Sequence, residues 1–283
     1  MNIIDFHTHT FPERIAERAI DSLSHKSRTR PFSDGTAEGL LSNMEQAGIS
    51  RSVILPVATS PEQVVKVNDA SARLNEAYGD RGLQSFGCMH PDYADYRREL
   101  SRMADMGLIG VKLHPVYQEV AVTDKRNMNI IDRAAEVGLC VITHAGYDVG
   151  YPGVTLCSPR QLRYVIDTIG EFPFVLAHMG GWMQWEEVPE YLADTGCYLD
   201  TAFSTGRMYP REDAQGLLFP EEMLDVKGFM KLYDAFGSKR ILFGTDSPWA
   251  DAKREIAFIK DLPVTEEEKA DIFGGNAKRL LGV

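Results

Sequence analysis

Asn2-Ile3-Ile4-Asp5-Phe6-His7-Thr8-His9 is a short apolar run that ends on two histidines one residue apart. In a β-strand residues i and i+2 point to the same side, so His7 and His9 would offer two imidazoles from one edge and could grip one metal ion together. Alone, a His-x-His pair is an ordinary way to end an edge strand. The positions of the other histidines give it weight. Of the seven in the chain, all but His25 fall at or just past the end of an apolar, β-branched run: His90 follows 83–89, His114 follows Ile109-Gly110-Val111-Lys112-Leu113, His144 follows 139–143, and His178 follows Phe174-Val175-Leu176-Ala177. Histidines recruited only for packing would not line up in this way.

Working outward, strand-like runs occur at 2–7, 52–56, 83–89, 109–114, 139–144, 174–178, 197–202 and 241–246. Segments with helical spacing lie between them, at 13–23, 36–47, 61–78, 93–106, 127–137, 159–169, 185–195 and 221–236. Thr36 and Ser158 are suited to N-cap two of these helices, and Gly48, Gly107, Gly138, Gly170, Gly196 and Gly237 stand where a helix end wants a left-handed residue. The segment 271–283 reads as a turn at Gly274-Gly275, then a short helix capped by Asn276. Alternating strands and helices require right-handed crossovers and a parallel sheet, and eight such units close most economically into a (β/α)8 TIM barrel. An open doubly wound sheet is the competing fold. Against it, no glycine-rich phosphate loop follows the first strand, and the polar residues gather after many strands instead of at one switch point.

A length of 283 residues suits one barrel domain spanning 1–283, and 44% apolar residues suffice for a large core. The net charge of −11, without a lysine or arginine run, argues against a nucleic-acid backbone or an anionic membrane as partner. Cys88, Cys140, Cys157 and Cys197 are widely spaced, and three lie in apolar runs, which argues against a disulfide framework. No basic segment followed by an apolar stretch opens the chain, so the expected location is the cytoplasm. The sequence leaves homo-oligomerisation open.

On a barrel, His7 and His9 would end strand one, Lys112 and His114 strand four, His144 strand five, His178 strand six and Asp246 strand eight. Imidazoles and a carboxylate converging at one mouth, with a coordination position left for water, are what a hydrolytic metal site requires.

The chain resembles the amidohydrolase superfamily, in particular the amidohydrolase-related branch that includes aminocarboxymuconate-semialdehyde decarboxylase, other decarboxylases, lactonases and hydratases. The resemblance rests on Asp5-Phe6-His7-Thr8-His9, Gly110-Val111-Lys112-Leu113-His114-Pro115, Thr143-His144-Ala145-Gly146, Ala177-His178-Met179-Gly180-Gly181, Gly244-Thr245-Asp246-Ser247-Pro248 and Gly275-Asn276-Ala277-Lys278-Arg279-Leu280-Leu281-Gly282, which run in family order along the whole chain. It implies that His7, His9, His144 and Asp246 bind one divalent metal ion, most often zinc in this branch. It also implies that Asp246 passes protons and that His178 hydrogen-bonds the water or polarises the substrate oxygen. Two-metal members carry a carboxylated strand-four lysine; here Lys112 stands in the Lys-Leu-His-Pro signature of the one-metal branch, so an ordinary ammonium is expected. TatD-like deoxyribonucleases share His-x-His and Thr-Asp-Ser-Pro but carry a glutamate where this chain offers Lys112 or His114.

Lys112 and His114 either face substrate or fill a polar layer at the barrel mouth. Specificity is expected from loops after the strands, where Tyr117, Trp182 and Arg207 are candidate substrate contacts, an aromatic rim with an arginine suiting a planar or carboxylated small molecule. Two long loops, 8–35 and 203–220, would rise on that face. The expected activity is hydrolysis of a small ester, lactone or amide-like bond by metal-activated water. The alternative is non-oxidative, metal-dependent decarboxylation of a small unsaturated or aromatic acid.

Overall fold

The structure, a computed structural model, describes residues 2–282. Nine short parallel strands run β1 Ile3–Thr8, β2 Ile49–Ile54, β3 Leu83–Ser85, β4 Gly87–Cys88, β5 Gly110–Leu113, β6 Cys140–Thr143, β7 Phe174–Leu176, β8 Tyr198–Asp200 and β9 Ile241–Leu242. They pair in chain order as two ladders, β1 to β3 and β4 to β9. Both seams are bridged by backbone hydrogen bonds. At one, Phe86 N–H donates to Ile54 O at 2.9 Å; at the other, Phe6 N–H donates to Phe243 O at 2.8 Å and His9 N–H to Ser247 O at 2.7 Å. The result is a distorted (β/α)8 TIM barrel.

The expected strand 83–89 is divided at Phe86, where pairing passes from β2 to β5 and the Phe86 side chain fills the barrel. A Cβ on Gly110 would come 2.2 Å from the Phe86 ring, so β5 can pass behind it only with glycine there. Phe86 meets Phe6 edge to face at 5.8 Å, and Ile4, Val53, Leu55, Ile142, Val175 and Leu242 complete this inner core.

The helices are α1 Glu13–Ser27, α2 Ala37–Ala47, α3 Val64–Tyr78, α4 Tyr96–Asp105, α5 Lys125–Glu136, α6 Pro159–Ile169, α7 Val188–Leu192, α8 Val226–Phe236, α9 Ala252–Lys260, α10 Glu266–Ala270 and α11 Asn276–Leu281. Thr36 and Ser158 do cap α2 and α6, the latter in a reciprocal capping box with Gln161.

Several expectations need correction. The segment 185–195 is helical only over α7, because Pro189 in the first turn can open a helix but cannot sit within one. The helix expected from Glu221 starts at Val226, where the Asp225 side chain accepts from Gly228 N–H; Glu222 instead pairs with Arg207 in the long loop. Gly196 is not left-handed, unlike the other five glycines named at helix ends. Asp271–Gly275 form a π-helical turn rather than a reverse turn, and Asn276 caps nothing: its amide donates to Ser238 O and Ile241 O, both at 2.6 Å, tying α11 to β9. Helices α9 and α10 lie outside the helical segments read from the sequence.

The long first loop carries α1 as expected. Past β8, residues 203–225 have no helix, and the loop is held by an apolar cluster in which its Phe203 and Met208 pack with Trp182 and Ala250. No helix among the described residues is long and apolar enough to cross a membrane.

Candidate metal centre

At the C-terminal ends of the strands, His7, His9 and Asp246 converge. His7 Nε2 lies 3.2 Å from His9 Nε2 and 3.3 Å from Asp246 Oδ1, and His9 Nε2 lies 3.0 Å from the same oxygen. The tautomers decide what this triangle can do. His7 Nδ1 faces Asp200 Oδ2 at 2.8 Å and His9 Nδ1 faces Leu55 O at 2.8 Å; both partners are acceptors here, so each ring carries its hydrogen on Nδ1. Both Nε2 atoms are then bare lone pairs, crowded against a carboxylate oxygen. Three acceptors at such spacing repel one another unless positive charge sits among them; Lys112 Nζ reaches only His7 Nε2, at 3.4 Å, whereas a cation with ligand bonds of about 2.1 Å would serve all three at comparable separations.

His144 stands to one side of this triangle, its ring 4.8 Å from that of His178, which in turn lies 5.1 Å from the His7 ring. It is not within the tight group formed by the other three. Its Nε2–H donates to Tyr147 O at 2.9 Å, which leaves Nδ1 bare, and that buried Nδ1 has no hydrogen-bond partner. An orphaned lone pair at the barrel mouth is the second observation that fits a cation. Burial and neighbouring positive charge push His7 and His144 well below the usual imidazole range, so protons do not compete for these nitrogens near neutral pH.

Asp246 and His178 reach their places through left-handed backbone, with φ of 63° and 59°. For non-glycine residues this costs about 1–3 kcal/mol each. Asp246 N–H donating to His7 O at 2.8 Å and His178 N–H donating to Asp200 Oδ1 at 2.9 Å hold the two in place. His178 also gives its Nδ1–H to Ala202 O at 2.8 Å, so its Nε2 is an acceptor; burial holds its pKa down to about 4.

Sequence reading missed Asp200, which is fully buried and orients both His7 and His178. Nothing local marked it: Asp200 lies inside the run read as strand 197–202, and its partner His7 is 193 positions away. Lys112 is equally buried, with Nζ 3.4 Å from His7 Nε2. Burial drives the Lys112 ammonium down and the Asp200 carboxyl up, while their opposite charges work against both shifts.

The expected substrate contacts divide. His114 stacks on His144 at 4.3 Å between centroids, and Tyr117 stacks on His114 at 3.9 Å, so these two continue the site outward. Trp182 is packed in the loop cluster and donates Nε1–H to Phe203 O at 2.8 Å. Its backbone abuts Gly146, where a Cβ would come 2.2 Å from Trp182 N. Arg207 is exposed and paired with Glu221, beside a cavity of ≈ 130 Å³ that none of the four candidate ligands lines.

The chain is similar in structure to several known proteins. An uncharacterised TIM-barrel protein of Bordetella bronchiseptica superimposes with a TM-score of 0.76 at 20% identity, covering 100% of this chain and 99% of its own. A probable 2-pyrone-4,6-dicarboxylic acid hydrolase of Acinetobacter baumannii gives 0.67 at 17% identity, with 100% of both chains covered. A dihydroxybenzoic acid decarboxylase of a Polaromonas species, solved with manganese and the inhibitor 2-nitroresorcinol, gives 0.70 at 15% identity, covering 100% of this chain and 97% of its own. At such identities the likeness speaks for the fold alone. No curated protein matches the sequence. The family model described as amidohydrolase matches residues 4–283, and the chain belongs to that enzyme family.

Proposed function

We infer that this protein holds one divalent cation with His7, His9, His144 and Asp246 and hydrolyses a small ester, lactone or amide-like substrate. The observation that carries the reading is the set of ring partners: Asp200 and Leu55 O take the far-side hydrogens of His7 and His9, so both rings turn bare nitrogens onto Asp246, and His144, held by Tyr147 O, adds a buried nitrogen without a partner to one side. Zinc is the proposed ion. When bound, such an ion polarises a substrate oxygen and acidifies a coordinated water.

The chain's own groups handle the protons. His178 is neutral near pH 7 and presents Nε2 as an acceptor, suited to orient a water by taking its hydrogen bond. Asp246 is the carboxylate placed to accept a proton from that water and to return it to the leaving group. Two proton acceptors facing one cation favour water activation, and hence hydrolysis. We place the enzyme in the cytoplasm, where its four buried cysteines would stay reduced.

One observation favours the second reading, decarboxylation of a small unsaturated or aromatic acid. Lys112 is a buried ammonium beside His7, a proton donor that could protonate the carbon left after loss of carbon dioxide. The manganese-bearing structure of similar fold is itself a decarboxylase. A panel of lactones, esters and carboxylic acids, followed in parallel by acid release and by carbon dioxide evolution, separates the two. Acid release without carbon dioxide supports hydrolysis; carbon dioxide without acid release replaces it.

A further inference from the structure

Between the loop that follows β8 and helix α9 lies the cavity of ≈ 130 Å³ beside Arg207, which none of the proposed metal ligands lines. Judged by the volume one ordered water needs, it has room for roughly ten water-sized groups, enough for a small organic molecule. Its inner wall carries a carboxyl. Glu255 is 8% exposed, and the Thr205 hydroxyl bonds Oε2 alone. Oε1 has no hydrogen-bond partner among the described residues, yet it is not sealed in protein, so it opens on the cavity that Glu255 lines. A buried acceptor left this way costs free energy that a donor brought by a ligand would offset. Burial pushes the Glu255 carboxyl up to about 8, and the nearby Asp251 and Asp5 carboxylates add to the effect. A positive charge seated against Oε1 would favour the ionised form.

The outer end has the opposite character. Arg254 lies over the Tyr209 ring at 4.4 Å and Arg207 at 5.5 Å, so one ring positions two guanidiniums that line the cavity. Arg207 is taken up by Glu221. Arg254 meets Asp251 through Nε at 3.5 Å, and its exposed side chain makes no hydrogen bond among the described residues. That leaves a planar fork suited to a carboxylate. Phe32, Met223 and Phe258 supply apolar wall between the two ends.

An occupant must therefore bring a cationic donor to Glu255, an anionic acceptor to Arg254 and an apolar body between the walls. An amine alone would face two guanidiniums, a plain carboxylic acid would leave Oε1 unpaired, and a metal ion would find a single free carboxylate oxygen. We propose that this cavity is a second ligand site, which binds an apolar α-amino acid with its ammonium on Glu255, its carboxylate on Arg254 and its side chain against Phe32, Met223 and Phe258. Phe203 and Trp249, three residues past Asp200 and Asp246, also line it, so the occupant packs on the loops that leave the proposed metal centre.

The test is calorimetric titration of the full chain with L-leucine and L-phenylalanine. Each is compared with its analogue lacking the amine, isocaproate or hydrocinnamate, and its analogue lacking the carboxylate, isopentylamine or phenethylamine. At least one amino acid should bind, and each of its two analogues should bind about tenfold or more weakly, the scale of one hydrogen bond to a charged group. Glu255→Gln should weaken the amino acid by a similar factor and spare the analogue without an amine. Arg254→Gln, on the exposed rim, should weaken the amino acid and spare the analogue without a carboxylate; it decides the matter alone if the buried variant fails to fold. No binding of either amino acid, analogues as tight as the parent, or variants that leave the amino acid unaffected or weaken all three ligands alike would overturn the proposal. Because amino acids also chelate metals, the titrations are repeated after chelator treatment. Unchanged affinity supports the cavity, whereas binding that vanishes with the metal would assign the ligand to the metal centre and refute it.

Discussion

Asp200→Asn is the substitution that most sharply separates orientation from ligation. Asp200 Oδ1 accepts from the His178 and Ala202 backbone N–H groups at 2.9 and 3.1 Å, so the asparagine must keep its carbonyl oxygen on that side. Its NH2 group then occupies the position of Oδ2, 2.8 Å from His7 Nδ1. Two donors cannot face each other there. His7 answers by moving its hydrogen to Nε2, which turns an N–H instead of a lone pair toward His9 and Asp246. Loss of an outer partner that fixes a ligating histidine costs about 10–100-fold in metal affinity, or about 1.4–2.8 kcal/mol, and a reversed tautomer belongs at the upper end. The assay is metal retained after equilibrium dialysis against graded chelator, with circular dichroism to verify the fold. A folded Asp200→Asn protein that holds metal as tightly as the wild type would refute the reasoning.

Two further outcomes follow from packing and burial. Glu255 is buried, held by the Thr205 hydroxyl, and its carboxyl is pushed up to about 8 by desolvation. In the unfolded chain it ionises near pH 4.5, so between there and about pH 8 the folded state holds the extra proton and stability falls as pH rises. Glu255→Gln should therefore raise the melting temperature more at pH 8 than at pH 5; an equal change at both pH values would contradict this. Gly110→Ala would drive a methyl group into the Phe86 ring, where the ideal Cβ comes within 2.2 Å, and should lower stability by about 1–3 kcal/mol in urea titrations. An unchanged midpoint would show that Phe86 is free to yield.

Much of the barrel was legible because most strands are apolar runs closed by a histidine or aspartate at or just past the C-terminal end, and that one pattern located both the sheet and the mouth. His7, His9 and Asp246 were readable as candidates for the same reason. What stayed hidden depended on contacts distant in sequence. At the break between β3 and β4 Phe86 lies over Gly110, which no periodicity records. Asp200 was read as part of a strand, since nothing local says that it faces His7 across 193 positions of chain. Helix α10, in contrast, was missed although its signal was plain: Thr265 and Glu268 form a capping box. The placement of Arg207 follows from the long loop pairing with itself through Glu222, which carries the side chain toward solvent.

Metal analysis of the purified protein, paired with the variants His9→Ala and Asp246→Asn, tests the central claim most directly. The account predicts close to one equivalent of a divalent ion per chain in the wild type, and loss of that ion in both variants while the fold persists. A wild-type protein that binds no divalent metal, or variants that keep the full complement, would contradict it.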